Sequence, residues 1–337
     1  MADDISTDVA IIGAGPVGLF AVFELGMLSL SSVLIDALGE AGGQCAALYP
    51  EKPIYDIPAH PAIEAGELIA QLERQIAPFH APRLLGRRVT GLAGEARAFT
   101  LTTDAGDTVR AKAVLLAAGA GAFGPNRPPI DGLEAYEATG AVQYYVRRRE
   151  DFRGKRVVIA GGGDSAVDWA LALKDIAHVS VVHRRAKFRA APESATQLDA
   201  AAARSEIEMV IPYQLQALHG TGGTLAEVEV ATVQGEARRI PADVLLPFFG
   251  LSMDLGPIAA WGLESVQHHV KVDPATCATS WSGVFGIGDV ATYAGKLKLI
   301  LQGFSEAAVA AHAIFAVVHP GEALHFEYST TKGVPSG

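Results

Sequence analysis

Hydrophobic positions along the chain twice repeat the order strand, glycine loop, helix, strand. The first repeat begins with the apolar run 9–12, continues with apolar residues at mostly helical spacing over 17–25, and ends with the predicted strand 32–35, which is apolar after Ser32. The second repeat spans 157–182 in the same order. Each repeat has the pattern of a βαβ unit, so the sequence predicts an α/β protein with two parallel sheets.

Shorter patterns lie between and after the two repeats. Residues 64–76 have the spacing of an amphipathic helix, whereas 50–61 are rich in proline and aromatic residues and cannot form one helix. The proline-rich segment 124–129 has the composition of a crossing between domains. Further strands are predicted over 89–92, 99–103, 109–110, 113–117, 244–246 and 283–289.

Composition narrows the class of protein. The 337 residues are half hydrophobic and 19% charged, which suits two folded domains and excludes disorder. No apolar run reaches the ~18 residues of a membrane span, and the apolar stretch 307–318 is expected to be a buried helix.

An early first strand leaves no room for a signal peptide, and two cysteines cannot form a disulfide framework, so we expect a cytoplasmic protein. The net charge of −10 argues against general nucleic-acid binding, and the ten histidines lack metal-ligand spacing.

The first glycine loop has the form of a dinucleotide-binding fingerprint. Gly13 permits a tight turn, Gly15 lets the backbone approach a pyrophosphate, and Gly18 lets helix and strand pack closely. Asp36 ends the following strand, where a carboxylate accepts hydrogen bonds from a free adenosine ribose. The alternative is an incidental glycine turn, which the flanking strand, helix and acid disfavour.

The second loop, 161–166, differs in the residue that reads the ribose. Arg184 follows Gly161 at the offset that separates Asp36 from Gly13, and Arg185 and Arg189 lie close by. Guanidinium groups match phosphate geometry, so this site is predicted to prefer NADPH. The alternative is a solvated basic turn.

A late Gly-Asp pair suggests how the two sites are arranged along the chain. Asp289 could be only the cap of a strand-ending turn. If the first loop binds a flavin dinucleotide, however, the ribityl hydroxyls need a partner on the same sheet, and Asp289 can supply it. We therefore expect a discontinuous FAD-binding domain, 1–122 and 285–337, interrupted by an NADPH-binding domain, 123–284.

Together these segments resemble the thioredoxin-reductase-like type of ferredoxin–NADP⁺ reductase. The resemblance runs nearly end to end and implies two Rossmann-like domains that bind FAD and NADP(H). Its most specific parts are the stretch after the first βαβ unit and the C-terminal tail. The residues that carry it are 42–44, 48–52, 55–56, 161–169, 286–289 and 327–330.

The resemblance also implies individual contacts and a homodimer. Tyr49 would stack on one flavin face, Tyr328 from the tail would cover the other face and move aside for the nicotinamide, and the tail can reach the partner's flavin. The remaining FAD contacts would be Gly13, Gly15, Gly18, Asp36, Gln44, the Val89 backbone, Phe123, Asp289 and Thr330. The NADPH contacts would be Gly161, Gly163, Asp164, Ser165, His183, Arg184, Arg185 and Arg189.

The implied reaction is electron transfer from NADPH through FAD to ferredoxin or flavodoxin. No cysteine lies between Cys45 and Cys277, so disulfide reduction through a Cys-x-x-Cys motif is excluded. A reductase of another acceptor, such as a quinone or a thiol protein, and a non-catalytic flavin and NADPH sensor remain alternatives. An acidic ferredoxin would dock on basic residues, for which 147–149, Lys296 and Lys298 are candidates, although each could be a solvated face.

Overall fold

The chain divides into two compact units. The structure, a computed structural model, describes residues 3–324 and 333. Residues 1–123 and 253–337 form the first unit, and residues 124–252 form the second. The crossing near 123 agrees with the expected position. The return lies at 253, earlier than the expected 285, because Leu255, Ile258 and Val270 are buried in the core of the first unit.

The N-terminal part of the first unit builds most of a seven-stranded sheet. Its strands run in the order β5-β2-β1-β8-β7-β6, and a strand of the returning chain, β20 (Val284–Gly286), also pairs with β8. The strands β2, β1, β8 and β20 are parallel, whereas β6, β7 and the start of β8 form an antiparallel meander. The elements are β1 (Asp4–Ile12), α1 (Pro16–Met27), β2 (Ser32–Asp36), α2 (Gly43–Ala47), β3 (Pro53–Ile54), β4 (Ile63–Glu64), α3 (Ala65–Ile76), β5 (Arg83–Leu85), β6 (Val89–Ala93), β7 (Phe99–Thr103), β8 (Thr108–Leu116) and β9 (Ala122–Pro125).

The second unit contains the second βαβ repeat. A parallel sheet runs in the order β12-β11-β10-β16, and β13, β14 and β15 form a separate antiparallel sheet. The elements are α4 (Leu133–Ala138), β10 (Arg156–Ala160), α5 (Asp164–Leu173), β11 (His178–Val182), α6 (Pro192–Ala203), β12 (Ile207–Val210), β13 (Gln214–Thr221), β14 (Thr224–Ala231), β15 (Ala237–Pro241), β16 (Val244–Pro247) and β17 (Leu251–Asp254).

The returning chain completes the first unit. It supplies β20, which extends the parallel part of the main sheet, and the long helix α7. The elements are β18 (Ser265–Val266), β19 (His269–Lys271), β20 (Val284–Gly286), β21 (Ala291–Thr292) and α7 (Ile300–Val318), and short 3₁₀ turns lie at Ala77–Phe79, Arg149–Phe152, Gly256–Ala260 and Gly288–Val290.

Alternating side chains of β1 enter two different cores of the first unit. Val9 and Ile11 face a core formed with α1, α3 and α7, whereas Ala10 and Ile12 face a core formed with the meander and the returning segment. A strand exposes successive side chains on opposite faces, so a strand covered on both sides is apolar throughout. This explains the unbroken hydrophobic run that predicted the strand.

Two sequence predictions differ from the structure in extent. The strands predicted separately over 109–110 and 113–117 are one strand, β8, because Ala111 pairs with both Phe99 and Thr7. The helix predicted over 307–318 begins at Ile300. By length and composition alone α7 could cross a membrane. We assign it to the core, because Ala307, Ala310 and Ile314 are buried against the sheet and α1.

Candidate functional site

A cleft in the first unit brings together most of the residues predicted to bind FAD. It has a volume of about 540 Å³ and lies at the carboxyl ends of the parallel strands. Its walls include the first glycine loop, the end of β2, the helix α2 and the late Gly-Asp turn. The predicted residues that line it are Gly13, Gly15, Asp36, Gln44, Tyr49, Val89 and Asp289.

The three glycines of the first loop have different physical roles. Gly13 adopts a φ of +113°, and a Cβ there would lie 2.3 Å from the Ala117 carbonyl oxygen. A Cβ at Gly18 would lie 1.9 Å from the Gly13 carbonyl oxygen, so Gly18 serves packing and does not line the cleft. Gly15 has an ordinary φ of −69°, and no atom lies within 4 Å of the Cβ position. Of these three glycines, only Gly15 could carry a side chain without strain or a clash within the protein. The open space beside it fits a bound pyrophosphate.

Two backbone amides hold the Asp36 carboxylate in place at the edge of the cleft. Its Oδ2 accepts a 2.6 Å hydrogen bond from the Ala14 amide, and its Oδ1 accepts a 2.8 Å bond from the Leu38 amide. Burial raises the pKa of this carboxyl, although the two amides act in the opposite direction. Each carboxylate oxygen retains a free lone pair, so Asp36 can still accept hydrogen bonds from ribose hydroxyls.

Tyr49, Cys45 and Asp289 meet at another part of the cleft. Burial raises the pKa of the Tyr49 hydroxyl far above its usual value, and Cys45 and Asp289 add to this effect. Burial also raises the pKa of the Cys45 thiol to about 11. Both groups are therefore protonated at neutral pH, and the thiol is poorly suited to act as a nucleophile.

Several residues of the cleft were not anticipated from the sequence. Arg87 and Arg88 precede Val89 and line the same part of the wall. The returning segment 254–258 and the start of α7 at 298–300 also contribute. No local motif marks these segments, because their position depends on the chain returning to the first unit.

The described part of the cleft gives no information on three predicted FAD contacts. The backbone of Phe123 belongs to β9. Tyr328 and Thr330 lie outside the described residues. The contacts proposed for these three residues stay predictions.

The second glycine loop connects β10 to α5 in the second unit. A Cβ at Gly161 would lie 2.7 Å from the Phe248 carbonyl oxygen, whereas nothing lies within 4 Å of the Cβ position at Gly163. Ser165 is exposed in the first turn of α5. Gly163, like Gly15, leaves open space at a helix N-terminus, which favours an anion.

His183 has a packing role that the sequence did not reveal. A Cβ at Gly162 would lie 2.1 Å from the His183 ring, so the imidazole occupies the space left by the missing side chain. The ring is buried and lies 4.9 Å from the Phe188 ring between centroids. Burial lowers the pKa of His183, and nearby arginines lower it further, so the ring is neutral at pH 7. The predicted contact between His183 and NADPH stays a prediction.

The three arginines that follow β11 are exposed. Within residues 3–324, no ion pair to a carboxylate holds the side chain of Arg184, Arg185 or Arg189. Asp164 fixes the segment that carries them, because its Oδ1 accepts a 2.8 Å hydrogen bond from the Ala191 amide. The backbone amide of Arg189 also donates a 2.7 Å bond to the Gly162 carbonyl oxygen. These bonds connect the basic segment to the glycine loop and leave the guanidinium groups available.

The basic residues suggested for docking divide into two kinds. Arg147 and Arg148 are exposed. Lys296 is not, because its side chain is only 6% exposed and is ion-paired with Glu306. The suggestion that Lys296 belongs to a docking surface is therefore wrong.

Comparison with known proteins agrees with this geometry. The model of the family described as pyridine nucleotide-disulphide oxidoreductase matches residues 7–313. The chain is 74% identical over 332 residues to a ferredoxin–NADP reductase of Granulibacter bethesdensis, covering 98% of this chain and 95% of that protein. It is 53% identical over 328 residues to a ferredoxin–NADP reductase of Rickettsia akari, covering 97% and 98%.

Solved structures show the same fold. The thioredoxin reductase of Lactococcus lactis superimposes with a TM-score of 0.80 at 24% identity, over 93% of this chain and 99% of that one. The predicted pair of Rossmann-like domains is thereby confirmed. The chain belongs to the pyridine nucleotide-disulphide oxidoreductase family and, within it, groups with the ferredoxin–NADP reductases.

Proposed function

We propose that this protein is an FAD-containing enzyme that moves electrons between NADPH and ferredoxin. The observation that carries the proposal is the difference between the two glycine loops. One opens on a cleft that presents the carboxylate Asp36, and the other is followed by exposed arginines. The relatives named as ferredoxin–NADP reductases support the same assignment along almost the whole chain.

The residues of the first unit bind and orient the flavin. Asp36, which two backbone amides hold in place, would accept hydrogen bonds from the adenosine ribose, and the N-terminus of α1 at Gly15 would bind the pyrophosphate. Tyr49 offers an aromatic face within the cleft, and Asp289 offers a carboxylate for the ribityl hydroxyls. Bound FAD would supply the conversion between two-electron hydride transfer with NADPH and one-electron transfer to the acceptor. No acid or base from a side chain is required for hydride transfer.

The residues of the second unit select the nicotinamide cofactor. Gly163 and the N-terminus of α5 accommodate the pyrophosphate, and Arg184, Arg185 and Arg189 bind the 2′-phosphate. Since no carboxylate stands at the ribose position, NADH lacks the contact that would compensate for the missing phosphate. We therefore expect a preference for NADPH.

The two cysteines argue against a disulfide as the electron acceptor. Both thiols are buried, and burial raises the pKa of Cys277 to about 12. Neither is paired with a second cysteine nearby in sequence, so the chain lacks a dithiol that could relay electrons. Electrons leave instead to a one-electron acceptor, and we propose ferredoxin or flavodoxin.

The assembly and the location of the protein are also part of the proposal. Leu297 and Leu301 expose 57% and 41% of their surface, and exposed leucines of this kind are suited to contact with another protein surface. We propose a homodimer that acts in the cytoplasm, without bound nucleic acid or membrane.

An anaerobic titration of the purified yellow protein tests the assignment. NADPH should bleach the flavin absorbance at far lower concentration than NADH, and the reduced protein should then reduce ferredoxin. Quinones and protein disulfides are the comparison acceptors. Equal efficiency with NADH contradicts the assignment of the arginines, and faster turnover with a quinone or a disulfide contradicts the assignment of the acceptor.

A further inference from the structure

Glu306 is a buried carboxylate that bonds to Gly288, a residue of the cleft wall. It lies on α7 and is 4% exposed. Its Oε2 accepts a 2.8 Å hydrogen bond from the Gly288 amide, and its Oε1 accepts a 2.6 Å bond from the Tyr293 hydroxyl. Lys296 forms an ion pair with the same Oε1. Both partners of this ion pair are more than nine-tenths buried.

These contacts hold the turn that presents Asp289 to the cleft. Gly288 has a φ of +70°, and its amide points towards Glu306. Gln302 donates a 2.9 Å hydrogen bond to the Tyr293 hydroxyl, so the network includes a second residue of α7. A network whose members are all bonded restricts its neighbours to one arrangement.

The helix that carries Glu306 also contacts the first glycine loop region. Gly303 lies one turn before Glu306 on the same face of α7. A Cβ at Gly303 would lie 2.3 Å from a methyl group of Val17, which follows the loop at the start of α1. The helix therefore packs directly against α1 and bonds to the Gly288 turn, although Val17 and Gly288 are far apart in sequence.

We propose that Glu306 and Lys296 are positioning residues for the flavin, which fix the Gly288–Asp289 turn relative to the first glycine loop. This inference rests on the proposed function only in taking the cleft to be the FAD site. A buried ion pair contributes little net stability compared with an apolar pair, yet removal of one partner leaves an uncompensated charge. The ion pair is retained here because it fixes the geometry of the Gly288–Asp289 turn.

The test measures the affinity of the apoprotein for FAD by quenching of flavin fluorescence. Glu306→Gln and Lys296→Met should each raise the dissociation constant at least tenfold and change the circular dichroism of the bound flavin. Lys296→Arg retains the charge and should stay within threefold of the wild type. In the double variant the loss should be smaller than the product of the two single losses, because the partners act as a unit.

Ile314→Ala is the matched control, since Ile314 is fully buried on the same helix but lies outside this network. It should lower the melting temperature without changing FAD affinity beyond threefold. The proposal is overturned if Glu306→Gln retains wild-type affinity and flavin dichroism, or if Ile314→Ala weakens FAD binding equally. If Glu306→Gln does not fold, the comparison of Lys296→Met with Lys296→Arg decides, and equal affinities overturn the proposal.

These measurements distinguish failure of the proposed function from failure of the positioning role. A wild-type protein that binds FAD but does not reduce ferredoxin with NADPH contradicts the proposed function, and the affinity comparison still decides the role of the ion pair. A wild-type protein with that activity and variants of unchanged affinity contradicts only the positioning role. A protein without affinity for FAD contradicts both.

Discussion

Replacing Gly15 by alanine should weaken FAD binding while leaving the fold intact. The backbone at Gly15 has φ −69° and ψ 179°, which alanine adopts without strain, and no atom lies within 4 Å of the new Cβ. The loss of unfolded-chain entropy stabilises such a substitution, and the poorer helix N-cap opposes it, so we expect a net change of about 0.5 kcal/mol or less. The melting temperature of the apoprotein should therefore shift by no more than about 2 °C.

The effect on FAD follows from where the new methyl group would lie. It would occupy the part of the cleft that the pyrophosphate approaches, and the phosphate would lose at least one charge-assisted hydrogen bond to the N-terminus of α1. Such a bond contributes about 1.5–3 kcal/mol. The dissociation constant of FAD should rise roughly 10- to 150-fold.

Gly18→Ala is the control for this prediction. Its Cβ would lie 1.9 Å from the Gly13 carbonyl oxygen, so the strand and the helix must separate. Overpacking of this kind costs about 1–3 kcal/mol and should lower the melting temperature even without FAD. Fluorescence titration of both apoproteins with FAD, with thermal unfolding in parallel, separates the two effects. Unchanged FAD affinity in Gly15→Ala would refute the assignment of the loop to the pyrophosphate.

Three further predictions concern cofactor choice, pH and docking. Arg184→Ala should raise the KM for NADPH about tenfold and leave the KM for NADH unchanged, which steady-state kinetics with both cofactors measures. Folding raises the pKa of the Cys45 thiol from 9.0 to about 11, so the thiol stabilises the folded state below pH 9. This contribution to the free energy of unfolding, up to about 2.7 kcal/mol, should be lost as the pH rises from 9 to 11. Urea unfolding across this range should show a shallower decline in Cys45→Ala, and an identical decline would contradict the buried-thiol explanation. Arg147→Glu should slow ferredoxin reduction and weaken its dependence on salt, while ferricyanide reduction is unchanged; a salt-insensitive wild-type rate would exclude electrostatic docking.

Features that depend on short stretches of chain could be predicted from the sequence. The two glycine loops, their helices and the acid or arginine that follows lie within about thirty residues, and their geometry depends on local backbone conformation. The fold class and the family followed from these segments and are confirmed. The separate roles of the glycines required the structure, because Gly15 and Gly18 differ only in what surrounds their missing side chains.

Lys296 shows why other features could not be predicted. In the sequence it lies close to Lys298 and resembles a solvated basic stretch, yet its side chain is buried in an ion pair with Glu306 of α7. His183 likewise resembles part of a phosphate site, but its ring fills the space above Gly162. In both cases the sequence does not show which residue is the partner, and only the packing of the folded chain identifies it.

The sequence by itself predicted two dinucleotide sites of different preference, because the glycine loop of each site and the acid or arginine that follows it lie within one continuous βαβ unit. Only the tertiary structure decided where the chain returns to the first unit, which residues complete the cleft, and which charges are buried. The physical reason is that burial and long-range hydrogen bonds arise between segments that are far apart in sequence. The packing of Gly303 on Val17 exists only after the chain has crossed to the second unit and come back.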